Sequence, residues 1–343
     1  MKVLAIDPGT LSTGIIAVSE KGLEDYIEVE SEKLSRGPEK LLDIIESHTP
    51  DLVVAPSGYG LPPIDLRILD PAELATATLV REDDPGVGEL RYISYFLKRL
   101  KTLRMPVIGV PGVANLASVP NSRKINRIDL GTADKVALTV LAAMIHSKED
   151  REVLRRSSFI VVELGAFTAA VAVKNGKIID GIGGTLFPIG IISSGGWDGE
   201  MAVAIGRRIY KGDLFSGGLR DICGSIDIER IRSECPEGYE RYLDDIAKTI
   251  SMLLTSIKRE GWHDPVKIYM SGRGAVKAVL EDLWRYYEID SEILRNYYKD
   301  GIKKPAEGAA LYGLSWIGVK DRGILDALGI FDWRPLRLPL KDY

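Results

Sequence analysis

Apolar positions along this chain fall into short runs separated by turn residues. The first run, residues 3–6, is followed by Asp7, Pro8, Gly9 and Thr10, and then by a second run at 14–18. Short apolar runs bounded by Gly, Pro and Asp predict strands joined in a hairpin. Glu20, Lys21 and Gly22 make the next reversal, and residues 23–29 predict a third strand. The same unit returns in mid-chain. Residues 159–163 read as a strand, Leu164, Gly165 and Ala166 as a turn, 167–173 as a second strand, and Lys174, Asn175 and Gly176 as the reversal into 177–181. Two copies of one supersecondary unit predict two related halves facing each other.

Between the hairpins the hydrophobic period lengthens. Residues 35–48 predict a helix, with Pro38 near its first turn and Leu41, Leu42, Ile44 and Ile45 forming the buried stripe. Residues 51–55 return as a buried strand, and the order β-β-β-α-β is that of a ribonuclease H-like half. Residues 56–89, rich in Pro, Gly and charge, predict a substrate-side insertion with a short helical piece at 71–80. A helix at 90–103, a strand at 106–110 and a helix at 133–146 complete the half, and the charged stretch 148–156 connects it to the next. The second half predicts helices at 197–210, 239–259, 275–287 and 305–319, a strand at 266–270, and a Gly-rich loop at 211–225. Tyr242, Ile246, Ile250, Leu253, Leu254 and Ile257 give the longest helix a core stripe. This divides the chain into domains 1–147 and 148–343, the second interrupted at 186–260.

Composition changes that picture little. Of 343 residues, 45% are hydrophobic and 27% charged, enough for two cores. A net charge of -4 gives no electrostatic footprint for nucleic acid. Glutamine is absent while Glu, Lys and Arg are plentiful, which fits a thermophile. Two cysteines, Cys223 and Cys235, make no disulfide framework and lack the company of a zinc site, so both read as incidental thiols. No apolar run approaches membrane-spanning length and no leader pattern precedes the first strand, so the expectation is a cytoplasmic protein with no membrane partner.

The candidate chemistry sits at the turns. Asp7, Gly9, Thr10, Ser12 and Thr13 place a carboxylate, a backbone turn and three hydroxyls at the end of a buried strand. Phosphoryl transfer uses this set: an acid to hold hydrated magnesium, amides and hydroxyls to bind phosphate oxygens. An Asx-type hairpin turn is the structural alternative. Glu163, Gly165, Ala166 and Thr168 are the counterpart in the second half, and two such turns on opposed domains can grip a triphosphate. Ser271, Gly272, Arg273 and Gly274, between strand and helix, let a nucleoside approach the backbone while a helix N-terminus faces phosphate. Asp129 and Asp198 each adjoin a Gly-rich turn expected to face the cleft.

These three segments, in this order, resemble the acetate and sugar kinase, Hsp70 and actin superfamily, whose two phosphate motifs and adenosine motif match residues 6–18, 162–181 and 268–274. Within it the chain is most similar to acetate and butyrate kinases. Residues 172–180 resemble their second phosphate hairpin, and Gly58, Tyr59, Gly60, Leu61, Pro62, Pro63 and Ile64 resemble a Gly-rich, Pro-Ile segment of butyrate kinases. Residues 127–136 resemble the segment before their central helix. The whole chain is similar to an archaeal family of unknown function labelled predicted butyrate kinase. The resemblance covers most of the chain and is weakest after Asp321.

The resemblance implies an α/β fold of two ribonuclease H-like domains, the duplicated actin-like ATPase fold, with ATP and Mg2+ in an interdomain cleft. It implies a short-chain carboxylate acceptor, an acyl phosphate product, and a homodimer as one assembly. Asp7 and Asp129 are the catalytic candidates, with Asp7 at the metal, and Ser57, Tyr59, Arg67 and Asp198 are the substrate candidates. The sequence departs from the pattern at three positions. Ser57 and Leu130 stand where butyrate kinases carry an arginine and a histidine, and a second arginine of acetate kinases falls near Gly195. Arg67, Arg123, Arg127 and Lys135 are the cations available as replacements, whereas His48, His146 and His263 read as structural. The missing cations leave an ATP-binding switch of the Hsp70 and actin type as the second reading. A Holliday-junction nuclease is the third, from the Ile6, Asp7, Pro8, Gly9 opening, and the repeated hairpin and acidic balance speak against it.

Overall fold

The central strand of each half is apolar nearly throughout because it is buried on both faces. In the computed structural model, which describes residues 1–80, 84, 86–259 and 265–336, these strands are β1 (Lys2–Pro8) and β6 (Phe159–Leu164). β1 pairs antiparallel with β2 (Ser12–Ser19), which pairs with β3 (Gly22–Glu30); on its other side β1 runs parallel to β4 (Leu52–Val54), followed by β5 (Val107–Ile108). β6 pairs antiparallel with β7 (Thr168–Lys174), followed by β8 (Lys177–Ile182), and runs parallel to β9 (Lys267–Ser271), followed by β10 (Glu292–Ile293). Read outward from β1 and β6, the two five-stranded sheets have one topology. The duplication seen in the hairpins therefore extends to every strand, and the fold is two ribonuclease H-like sheets.

Two helices lie between the sheets. Ala133–Ser147 contacts β6 and β7, Lys304–Trp316 contacts β1, β2 and β4, and the two pack on each other. Their core joins Val3 and Ala5 of the first sheet to Val161, Val171 and Val173 of the second through Val136, Leu141, Ala306 and Ala310. Lys304–Trp316, a helix late in the chain, thus covers the N-terminal sheet. Separate cores fill the outer faces, one around Leu4, Tyr92 and Phe96, the other around Ile160, Tyr242 and Ile246.

Several elements differ from expectation for local reasons. The helix expected at 35–48 is two helices, Ser31–Arg36 and Glu39–His48, broken at Gly37 and Pro38. Proline disfavours helical backbone in the residue before it, so Gly37 cannot continue the first helix. The helix expected at 197–210 is limited to Gly199–Ile205 and stops at Gly206, whose φ of 61° is left-handed. The segment 211–225 is less of a loop than expected, holding a 3-10 turn at Lys211–Phe215 and a helix at Leu219–Cys223. The two cysteines are not free thiols: Cys223 and Cys235 form a disulfide, with Cα atoms 5.7 Å apart. Cys223 ends Leu219–Cys223 and Cys235 follows the helix Ile228–Glu234, so the intervening turn brings them together. His263 lies outside the described residues. No helix among the described residues is long and apolar enough to cross a membrane.

Candidate functional site

A cavity of about 570 Å³ opens between the two sheets. The first hairpin contributes Asp7, Gly9, Thr10 and Ser12; the second contributes Glu163, Gly165 and Ala166; the turn after β9 contributes Ser271, Gly272 and Arg273. The three segments singled out by sequence thus converge on one cleft. Thr13, Thr168 and Gly274 belong to the same turns but face inward. Thr13 Oγ1 lies 2.7 Å from the Tyr92 hydroxyl and 2.9 Å from Ser31 Oγ, Thr168 is fully buried, and the Gly274 amide donates to Leu164 O at 2.7 Å. Gly272 has a φ of 89°, and a Cβ there would meet the Leu164 backbone at 2.7 Å, so this close approach requires glycine.

Asp7 is 4% exposed at the end of β1, where its carboxylate pairs with Lys303 Nζ at 2.8 Å. Lys303 also donates to Ser12 O at 2.8 Å, and a Cβ on Gly9 would come within 2.6 Å of its ammonium. Burial works against the Lys303 charge, but Asp7 and Glu163 hold its pKa above the usual lysine value. On the facing side, Lys135 contacts Asp134 and stands 3.8 Å from Glu163 Oε2. Burial, together with the neighbouring Asp134 and Asp7 carboxylates, pushes the Glu163 carboxyl above the usual carboxylate range against the pull of Lys135. Asp134 goes the other way: despite burial, the Lys135 ammonium and the Thr132 hydroxyl hold it below that range.

Lys135 stands in the first turn of Ala133–Ser147, and Lys303 is the cap of Lys304–Trp316. The N-termini of the two packed helices therefore both line the cleft, each bringing a lysine to the positive end of its helix. The helix that follows Lys303 is anchored to the segment 296–299. The fully buried Glu307 carboxylate accepts from Asn296 Nδ2 at 2.9 Å and from the amides of Tyr297, Tyr298 and Lys299 at 2.8, 2.9 and 3.3 Å. Replacing it by Gln puts an NH2 donor against amide donors. Glu307→Gln is expected to cost about 2–3 kcal/mol, measured as a shift in urea-unfolding free energy.

The other sequence candidates divide. Ser57 and Tyr59 line the cleft, although the Ser57 hydroxyl is committed, donating to Ala55 O and accepting from Val110 N, both at 2.9 Å. Asp129 lines it too, and its carboxylate accepts from the Gly131 amide at 3.1 Å and from Thr185 Oγ1 at 2.9 Å, tying the halves together. Arg67 and Asp198 are not cleft residues. Arg67 forks onto Asp65, at 2.6 Å for the shorter contact, and Asp198 caps its helix by accepting from Met201 N at 2.8 Å. Arg123 pairs with Asp180 at 3.4 Å, and Arg127 is exposed away from the cavity. Leu130 is fully buried in the core. Of the four replacement cations considered, Lys135 alone lines the cleft; sequence reasoning missed Lys303, Lys211 and Asp134 there. Lys303 did carry one signal, its place two residues before a predicted helix start.

The fold is shared with acetate and propionate kinases. A propionate kinase from Francisella tularensis superposes with a TM-score of 0.61 at 13% identity, over 90% of this chain and 98% of that one. Acetate kinases from Porphyromonas gingivalis and Entamoeba histolytica give 0.57 and 0.55, at 14% and 15% identity, over 92% and 84% of this chain and 99% and 86% of theirs. No curated protein matches the sequence. The family profile that does match spans residues 5–335, so the chain belongs to the family described as Protein of unknown function (DUF1464).

Proposed function

We propose that this protein is an ATP-dependent phosphotransferase that phosphorylates a carboxylate. The observation carrying the reading is the convergence of Asp7, Glu163 and two lysine-bearing helix N-termini on one cleft whose walls also include the Gly272 turn. The turns at Gly9, Thr10, Gly165 and Ala166 would bind phosphate oxygens, and Ser271, Gly272 and Arg273 would meet the nucleoside. Lys303 and Lys135 would supply the charge that arginines and a histidine supply in acetate and butyrate kinases. Cations aimed at the transferring phosphoryl group contribute on the order of 3 kcal/mol each to the transition state.

Magnesium fits the residues present. Glu163 Oε2 is buried with no hydrogen-bond partner among the described residues, and the Asp7 carboxylate faces the same cavity. One or two carboxylates suffice for a metal that arrives on ATP and keeps its waters. When bound, it neutralises charge on the β- and γ-phosphates. Lys303, held on Asp7 at 2.8 Å, is placed to exchange that partner for a phosphate oxygen. In the transfer, an acceptor carboxylate oxygen bonds to the γ-phosphorus, the bond from that phosphorus to the β-bridging oxygen breaks, and the electron pair leaves with ADP. An ionised carboxylate needs no general base, and among the described residues no histidine lines the cleft.

The test is hydroxamate trapping with MgATP and a panel of carboxylates. Acceptor-dependent hydroxamate and ADP in equal amounts are expected. Tight nucleotide binding with no turnover on any acceptor would replace this reading by a nucleotide-dependent switch.

A further inference from the structure

The insertions of the two halves meet at one side of the cleft. Asp84 of the first accepts from the Gly86 amide at 2.7 Å and, across the cleft, from the Lys211 amide at 2.8 Å. Lys211 reaches back over Tyr59, donating to its hydroxyl with the ammonium 4.0 Å from the ring centroid. Tyr59 in turn is fixed to the first insertion by its amide, which donates to Ala77 O at 2.9 Å. From the second half, Phe215 packs edge-on against Phe167 with centroids 4.7 Å apart, and Phe167 directly follows the phosphate-side turn at Gly165 and Ala166. The enclosed space is therefore continuous with the phosphate site and has apolar walls: Ala77, Val80, Val87, Ile93, Leu214 and Phe215.

Lys211 is out of place among such walls. It is half-buried and, among the described residues, forms no ion pair. The charged groups that face it, Asp129 and Asp84, are occupied by amides and the Thr185 hydroxyl. Burial consequently lowers its ammonium to about 8. A desolvated cation whose nearest carboxylates stand beyond ion-pair distance is costly, and an anionic ligand in contact with it reduces the cost. Arg91, the other cation near these walls, is exposed and well hydrated.

We propose that Lys211 binds the anionic head of the acceptor, and that the acceptor is a monocarboxylate whose apolar tail lies against Val80, Val87, Leu214 and Phe215. The assignment rests on the carboxylate-kinase reading and goes beyond it by naming the acceptor's anchor and the chemistry of its tail. Lys211 belongs to the second half and the Ala77 and Val80 wall to the first, so acceptor binding also requires the insertions to be in contact.

Two measurements on the full-length protein separate the anchor from the reaction. Resonances of the Lys211 side chain, assigned by their loss in Lys211→Met, are followed by NMR during titration with butyrate and with its neutral isostere butyramide, in the presence of a non-hydrolysable MgATP analogue. Saturable shifts with butyrate and none with butyramide are expected. In parallel, hydroxamate kinetics should show KM for butyrate raised tenfold or more in Lys211→Met, with a smaller change in kcat and partial rescue in Lys211→Arg, while MgADP affinity by calorimetry is unchanged. Absence of a butyrate-dependent shift overturns the anchor, as does an unaltered acceptor KM in an active Lys211→Met enzyme. A saturable shift without hydroxamate in the wild type would leave the anion site standing and remove the phosphotransferase.

Discussion

Asp7→Asn is expected to lower acceptor-dependent turnover by on the order of 10²–10³ and to raise the Mg2+ concentration needed for half-maximal rate. The substitution keeps the shape of the side chain and removes only its charge. Asp7 is buried at the end of β1, where pairing with Gly14 of β2 fixes its direction and the partnership with β4 has already ended at Ala5. Its one ion-pair partner among the described residues is Lys303, so the cleft gains an uncompensated cation when the carboxylate is lost. Lys303→Met should fail differently. It should weaken the nucleotide and slow transfer while leaving the Mg2+ requirement near that of the wild type, because the carboxylate remains. A purely structural pair makes another forecast: both single variants and the double variant would show equal losses and no change in metal dependence. Turnover against Mg2+ in the three variants decides, and an Asp7→Asn enzyme with wild-type rate at wild-type Mg2+ would refute the assignment.

The turns that converge on the cleft were legible in the sequence because their signals are local. Asp7, Gly9, Glu163 and Gly165 each sit where an apolar strand meets a turn, and a strand end is fixed by the run of Val, Ile and Ala that precedes it. The duplication was legible for the same reason, through two hairpins with Lys-Gly and Asn-Gly reversals. β10, two residues long and exposed, carries no pattern of its own and exists because β9 offers it a parallel edge. The cations were not legible. Lys303 reaches Asp7 across 296 residues of chain, and Lys211 reaches Tyr59 across 152. Such contacts depend on how the second half closes on the first, and a lysine bound for a cleft looks like one bound for solvent. Arg67 failed as a cleft cation for a local reason, since Asp65 two residues earlier captures it. Cys223 and Cys235 were misread because a single pair separated by 12 residues forms no framework, and only the turn between two short helices aligns them.

Gly308→Ala is expected to destabilise the protein by about 3 kcal/mol or more, and Gly308→Leu to prevent accumulation of folded protein. Gly308 lies in the helix Lys304–Trp316 at its crossing with Ala133–Ser147. A Cβ there would stand 1.9 Å from Ala137 O and 2.5 Å from Ala137 C. Those atoms are backbone, so no rotamer change relieves the clash and the helices must move apart. Separation would loosen the core that Val136, Ala306 and Ala310 build between the sheets. It would also displace the site, because Lys135 and Lys303 stand at the N-terminal ends of these same two helices. Activity in any folded fraction of Gly308→Ala should therefore fall as well, with nucleotide affinity lost alongside turnover. Gly199→Ala is the control: Gly199 begins a surface helix with nothing within 4 Å of the added methyl, and the change should lie within about 0.5 kcal/mol of the wild type. Equilibrium urea unfolding of the two alanine variants, with nucleotide titration of the folded fraction, measures both effects. A Gly308→Ala protein as stable as the Gly199→Ala control would show that the helix crossing is looser than this contact requires, and the rigid placement of the two lysines would fall with it.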